Sequence, residues 1–244
     1  MNTQRSAAVW AAITDDARAL GGRVTIETVC HSCAGHLHAQ AAVALTGPPM
    51  GYEPQCASHP AAFQLMDIQA TLGEGPGLAA LADQRPVLVP ELAGQDAMRR
   101  WPVLAPAAAQ AGVCAVFAFP LLLGAISVGV LEISRVGPGW LEAEQVADAL
   151  IYADAALMVH LHQTAGGNGA AGGDGVVAGD GADATVERWA QVHHATGIVA
   201  VQAGVDLRSA FVRLRAHAYA TERSLMEVAG EVVARRLRFS KEPE

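Results

Sequence analysis

The sequence predicts an α+β domain with a largely antiparallel sheet, then a flexible glycine-rich linker and a small all-α unit. Helix-like and strand-like segments are mixed over residues 1–163, and two of the strands form a long hairpin. Residues 164–184 contain eight glycines among mostly Ala and Asp, a composition that does not favour an ordered structure. Three helix-like segments fill 185–239, and 240–244 form a tail.

In the first domain, the spacing of apolar residues predicts helices on both sides of a group of strands. The predicted helices are 6–21, 24–36, one that begins at Pro60, one over 97–111 that Pro102 and Pro106 interrupt near its start, and 140–163. The predicted strands are 38–45, 52–57, 87–89, 113–122 and 126–135. Residues 71–78 carry three glycines and a proline, which predicts a tight turn. They lack the Lys-Ser/Thr pair of a phosphate-binding loop.

In the C-terminal unit, helices are predicted at 186–203, at 207–220 and from Ser224 onward. Asp206 is a good N-cap for the second helix, and Ser224 with Glu227 forms a capping box for the third. A unit of about fifty residues buries little surface, so we expect it to need a partner chain. We therefore expect a homodimer that forms through the 140–163 helix, these three helices, or both.

Charge and cysteine content narrow the class of protein. Residues 1–184 carry a net charge of −10 and residues 185–244 a net charge of +2, so the second part tolerates a polyanion better than the first. No apolar run approaches the roughly 18 residues of a membrane span, and no signal peptide is evident. We expect a cytoplasmic protein whose four cysteines are reduced.

Three C-terminal pieces of sequence carry a resemblance to a known family. They are Ala195-Thr196-Gly197-Ile198, residues 210–218 and residues 223–229. Together they resemble the ANTAR domain, a small helical module of bacterial transcription antiterminators, over residues 186–239. The resemblance implies a unit that binds RNA hairpins in nascent transcripts and prevents a terminator from forming.

Short pieces of the first domain resemble the GAF domain that precedes ANTAR in actinobacterial regulators. They are Leu72-Gly73-Glu74-Gly75-Pro76, Arg85-Pro86-Val87, Trp101-Pro102, Gly112-Val113 and Phe119-Pro120-Leu121. The resemblance implies a sensor domain, with any small-molecule pocket lying between the sheet and the helices of 60–111. Gly77 stands where relatives commonly carry a cysteine, so a signal that is read through that thiol is not available here. Two residues also depart from the ANTAR pattern. Thr196 stands where that pattern often has a basic or amide residue, and Glu222 stands where asparagine is frequent.

A stripe of basic and aromatic residues is expected beside the buried face of the 207–220 helix. The buried face is predicted from Leu207, Phe211, Leu214 and Ala218. The residues predicted to contact RNA are Arg208, Arg215, Tyr219, Arg223, Arg235 and Arg236. Arginine pairs with phosphate, and tyrosine stacks on an unpaired base. The alternative for the arginines is a solvated face, or for the last two a favourable position at a helix C-terminus.

Other functions have weaker support from the sequence. Cys30 and Cys33 form a single Cys-x-x-Cys on the apolar face of a predicted helix, so we expect buried thiols and no metal site. No nucleophile elbow or acid–base pair is present, so no enzymatic activity and no cofactor are expected. The remaining alternative is a DNA-binding or protein-interaction regulator, because three short helices with a basic turn also fit helix-turn-helix geometry.

Overall fold

A computed structural model describes residues 3–47, 51–167 and 182–240. Its elements in chain order are α1 (Thr3–Ala19), α2 (Ile26–Leu37), β1 (Gln40–Leu45), β2 (Glu53–Ala57), α3 (Pro60–Leu72), α4 (Pro76–Asp83), β3 (Val87–Val89), α5 (Gln95–Arg100), α6 (Leu104–Gln110), β4 (Ala115–Leu123), β5 (Ile126–Arg135), α7 (Ala143–Gly167), α8 (Ala182–Ala203), α9 (Leu207–Ala220) and α10 (Leu225–Val233).

The strands form one five-stranded sheet in the order β2-β1-β5-β4-β3, and every neighbouring pair is antiparallel. The β4–β5 hairpin is its centre, and its turn contains Gly124 with φ 62°. Positive φ is readily adopted by glycine, which explains the turn position. The predicted hairpin and the predicted antiparallel sheet flanked by helices are confirmed.

Each face of the sheet is covered by its own layer of helices. Leu131 and Ile133 of β5 face a core shared with α1, α2 and α7. Val130, on the opposite face, belongs to a core shared with α3, α4 and α6. Alternation along β5 thus sends successive side chains into two different cores.

The helix predicted at 97–111 is two helices, α5 and α6. Trp101 lies between them in a non-helical conformation, with φ −135° and ψ 72°. Pro102 disfavours helical backbone at the residue before it, which separates the two helices. The amides of Val103 and Leu104, at the start of α6, donate to Oε1 of Glu74 at 3.1 and 2.8 Å.

The C-terminal helices pack on the first domain. Helix α8 lies against β2, and α9 and α10 lie against α3. Trp189, Phe211 and Val228 of these helices join the same core as Leu65 and Met66 of α3. Much of the apolar surface of the small unit is therefore buried within its own chain. The centre of the predicted linker, 168–181, lies outside the described residues, and its ends belong to α7 and α8.

Two cysteines correct the expectation of four reduced thiols. Cys30 and Cys56 form a disulfide that joins α2 to β2, and both side chains are buried in the core beneath α2. Cys33 and Cys114 are free. No local pattern predicts this pairing, because Cys56 lies 26 residues beyond Cys30, on a strand. None of the described helices is long and apolar enough to cross a membrane.

Candidate nucleic-acid interface

Helix α9 presents the predicted basic stripe beside its buried face. Its first turn is capped by Asp206, whose Oδ1 accepts a hydrogen bond from the amide of Ser209 at 2.9 Å. This bond stabilises the start of the helix. Three of the four residues predicted to be buried are buried: Phe211, Leu214 and Ala218. The prediction was wrong for Leu207, which is 50% exposed because it begins the helix beyond the edge of the core.

Arg208 and Tyr219 lie on the solvent-exposed part of the stripe, and the Tyr219 ring is 56% exposed. Arg215 is half-buried and lies against the first domain. A Cβ added to Gly73, the left-handed residue that ends α3, would lie 2.7 Å from Nη1 of Arg215. Arg215 is thus held at the contact between α9 and the end of α3, whereas Arg208 and Tyr219 remain open to a partner.

Glu231 of α10 brings Arg223 and Arg236 together. Arg236 donates Nε and Nη2 to the two carboxylate oxygens at 3.0 and 2.9 Å. Nη2 of Arg223 lies 3.9 Å from Oε1 of the same carboxylate. The hydrogen bonds from Arg236, with its charge and that of Arg223, lower the pKa of Glu231. Arg235 is exposed with φ 61°, in the turn that follows α10.

Two residues that depart from the pattern of the ANTAR domain, Thr196 and Glu222, have local physical accounts. Thr196 is buried in α8, and its hydroxyl donates to the carbonyl of Val192 at 2.7 Å, so it faces the interior rather than a partner. Glu222 adopts φ 52° in the turn between α9 and α10. Asparagine adopts such a left-handed conformation more readily than glutamate, so the backbone here suits the asparagine that the resemblance led us to expect.

The start of α10 is held by α3, a contact that the sequence analysis missed. The amide of Leu225 donates to Oγ1 of Thr71 at 3.0 Å, and the backbone amide of Met226 faces the carboxylate of Asp67. Burial, and then the neighbouring Glu227, raise the pKa of Asp67 to about 7. The available signal was Asp67 and Thr71, two polar residues one helical turn apart in the largely apolar helix α3.

A buried polar cluster lies where the resemblance implies a ligand pocket. Tyr52 donates its hydroxyl to Glu132, and Nε2 of Gln69 donates to Oε2 of Glu132 at 2.6 Å. The amide of Gly77 donates to Oε1 of Gln69 at 2.9 Å. Burial raises the pKa of Glu132, while its hydrogen bonds from Tyr52 and Gln69 lower it. These side chains occupy the space between β5 and the helices α3 and α4.

Two open grooves lie on the opposite layer, along α1 and α2. One, of about 340 Å³, includes Arg5, His36 and Asp148. Asp148 accepts from Nη1 of Arg5 at 2.9 Å, and its other oxygen lies 3.3 Å from Nε2 of His36. The second, of about 460 Å³, runs between Leu20 and Ser32. Neither groove is lined by the 60–111 helices. Within the described ranges, no cluster of three or more His, Cys, Asp or Glu residues could hold a metal.

No protein-family model and no curated protein sequence matches this chain. Its structure is similar to the GAF domain of an Acinetobacter phosphoenolpyruvate-protein phosphotransferase, with 10% identity, 68% of this chain and 97% of that chain covered, and a TM-score of 0.49. The GAF domain of a phosphoenolpyruvate-protein phosphotransferase from Coxiella burnetii is 12% identical, with 67% of this chain and 98% of that chain covered and a TM-score of 0.48. A GAF domain/HD domain protein from Geobacter sulfurreducens is 17% identical, with 63% of this chain and 97% of that chain covered and a TM-score of 0.42. A likeness at this level concerns the fold alone.

Proposed function

We propose that the chain is a signal-responsive regulator that binds RNA hairpins through α8–α10 and prevents transcription termination. The observation that carries the proposal is the stripe on α9. Arg208 and Tyr219 are exposed there, beside a face buried through Phe211 and Leu214. A cation and an aromatic ring on a rigid helix suit a hairpin loop, whose unpaired bases can stack and whose phosphates pair with arginine.

The first domain would sense the signal, as its resemblance to GAF domains implies. The C-terminal helices rest directly on α3 and β2 of this domain, so a change in the first domain has a short route to the RNA-binding stripe. The role is one of binding, with no catalytic step. The protein would act as a homodimer, which would cover exposed apolar residues such as Leu150 and Met158 of α7.

A weak net charge shapes the expected binding behaviour. Residues 185–244 carry a net charge of only +2, so affinity depends on a few placed contacts rather than on a strong field. For single-stranded nucleic acid, each phosphate contact contributes about 0.7 to the slope of log affinity against log salt concentration. We therefore expect a shallow salt dependence, and a slope that becomes shallower by about 0.7 when Arg208 is removed.

Filter binding to a labelled leader hairpin with an unpaired loop tests the proposal. Arg208→Ala with Tyr219→Ala should weaken binding by about 30-fold or more, since a stacked base contributes roughly 1–3 kcal/mol. Tyr219→Phe keeps the ring and should bind as the wild type does. Arg18→Ala, an exposed arginine on α1, is the matched control. Equal binding by the double variant and the wild type would contradict the proposal.

Competition separates RNA from the alternative partners. Unlabelled hairpin should displace the probe, while duplex DNA of the same sequence should not. Displacement by duplex DNA alone would instead assign the chain to DNA-binding regulators. Transcription in vitro through a leader with an intrinsic terminator then tests the final step, because added protein should increase read-through and the double variant should not.

A further inference from the structure

The seam between α3 and α10 is built from helix-capping contacts. The first amides of a helix have no partner within that helix. In α10 the amide of Leu225 donates to Thr71 of α3, and the amide of Met226 faces the carboxylate of Asp67 on the same helix. Only the next amide, of Glu227, is capped within the C-terminal unit, by Ser224 at 3.1 Å. Docking therefore satisfies one free amide of α10 from the first domain and places a second beside Asp67.

Docking of α10 on α3 buries Asp67, and burial disfavours the ionised form of its side chain. Its side chain is buried, and its Oδ1 has no hydrogen-bond partner among the described residues. A buried carboxylate with an unsatisfied oxygen is costly, and uptake of a proton removes the part of the cost that comes from burying the charge. Separation of the helices would return the side chain to water, where an aspartate ionises easily.

The charged groups on the elements around α3 are placed as follows. Glu227 of α10 is the charge that acts on Asp67, and it disfavours the ionised form. Arg215 of α9 lies at Gly73, the far end of α3. Oε2 of Glu53, on β2, lies 3.5 Å from Nε2 of His193, on α8. Asp83 of α4 pairs with two exposed arginines, Arg85 and Arg100. Helix α6 and strand β1 carry no ionisable side chain.

We propose that docking of the C-terminal helices onto α3 takes up one proton at Asp67, so that the seam opens as the pH rises. On docking, one carboxylate oxygen of Asp67 gains a proton from solvent, and on release the carboxyl returns it. Release also frees Arg215 from Gly73 and completes the stripe with Arg208 and Tyr219. This last step rests on the proposed RNA-binding function, whereas the proton linkage does not.

The linkage has a defined pH window. Burial and Glu227 raise the pKa of Asp67 from 3.8 to about 7 in the docked state. The docking equilibrium is therefore most favourable at low pH and decreases about tenfold for each pH unit between about pH 4 and 7. Above pH 7 Asp67 is ionised in both states, and the dependence levels off. Between pH 6 and 8 the expected change is about tenfold.

Hydrogen exchange of the full chain, without RNA, tests the linkage. Protection of the α10 amides, corrected for intrinsic exchange rates, should decrease about tenfold per pH unit from pH 5 to 7. Asp67→Asn, which carries no charge, should flatten this slope. Asp96→Asn, on the exposed side of α5, is the matched control and should keep it. A flat wild-type profile, or an unchanged slope in Asp67→Asn, would overturn the proposal.

A second variant covers the case in which Asp67→Asn does not fold. Glu227→Gln keeps a hydrogen-bonding side chain at the capping box and removes the like charge beside Asp67. It should move the decreasing part of the profile to lower pH, and an unmoved profile would count against the proposal.

RNA binding at pH 6 and pH 8 then separates the two ideas. Up to tenfold tighter binding at pH 8 in the wild type, and not in Asp67→Asn, supports both. A pH-dependent exchange profile with no RNA binding at either pH leaves the proton linkage standing and removes the RNA function. RNA binding with a flat exchange profile overturns the proton linkage and leaves the RNA function standing.

Discussion

The glycine at position 77 provides a sharp test of the buried polar cluster. A Cβ added there would lie 2.1 Å from Oε1 of Glu132 and 2.7 Å from its Cδ. Neither distance is compatible with non-bonded atoms, and Glu132 is held in place on β5 by Tyr52 and Gln69. In Gly77→Ala the carboxylate must therefore leave its position.

The cost of that movement follows from the bonds lost. Glu132 accepts one hydrogen bond from Tyr52 and one from Gln69. Hydrogen bonds to a charged group contribute about 1.5–3 kcal/mol each, so the loss of both costs about 3–6 kcal/mol. Replacing a helical glycine by alanine regains about 1 kcal/mol. We expect Gly77→Ala to lower the free energy of unfolding by about 2–5 kcal/mol.

Urea unfolding at pH 7, followed by circular dichroism, measures the effect. Gly35→Ala is the matched control, since nothing lies within 4 Å of its added Cβ in α2. It should be neutral or stabilise by up to about 1 kcal/mol. A double-mutant cycle then identifies the cause. In the Glu132→Ala background the obstructing carboxylate is gone, so Gly77→Ala should cost nothing. An equal cost in both backgrounds, or no cost in the wild type, would refute the reasoning.

Three further predictions concern stability. Glu74→Ala removes the acceptor of the Val103 and Leu104 amides and should lower the free energy of unfolding by about 1 kcal/mol in thermal melts. Reduction of the Cys30–Cys56 disulfide, which closes a 26-residue separation, should cost about 3.5 kcal/mol in urea, and the double serine variant should not respond to the reductant. Burial raises the pKa of Asp67 from 3.8 to about 7, so ionisation of this group destabilises the folded state. As the pH rises from about 4 to 7, the free energy of unfolding of the wild type should therefore fall by about 1.4 kcal/mol per pH unit relative to that of Asp67→Asn. Urea unfolding across that pH range measures the difference.

The parts of the fold that sequence analysis predicted are those set by local patterns. The β4–β5 hairpin and the Ser224 capping box depend on residues a few positions apart. Pro102 is local too, but its effect on Trp101 divided the 97–111 segment more fully than apolar spacing indicated. Local chemistry thus accounts for the elements and most of their ends.

The contacts that define the site lie far apart in the chain. Tyr52 and Glu132 are 80 residues apart, and Thr71 and Leu225 are 154 apart. No periodicity within an element relates such pairs, because the pairing depends on how the helices pack across the sheet. For the same reason helical spacing predicted that Arg208 and Tyr219 share a stripe, but not that Arg215 meets Gly73.

The position of Arg215 decides which substitutions can separate docking from RNA binding. In Arg215→Ala a docking contact and a predicted RNA contact are lost together, so the two effects on affinity oppose each other. Arg208 is exposed while the unit is docked, and its removal should weaken RNA binding alone. The hydroxyl of Thr71 accepts a hydrogen bond from the amide of Leu225, and Thr71 lies on α3, away from the exposed stripe.

Thr71→Val therefore reports on docking without removing any predicted RNA contact. It leaves the Leu225 amide without its acceptor in the docked state, at a cost of about 1–3 kcal/mol. If the docked form dominates and competes with RNA, apparent affinity should rise by the same factor, about 5- to 150-fold, until release is complete. Thr14→Val, on α1, is the matched control because its hydroxyl bonds only within its own helix. Titration of both variants with the leader hairpin measures the difference. Weaker binding by Thr71→Val than by Thr14→Val would show that RNA binds the docked form, and that α3 supports the RNA-binding surface rather than restraining it.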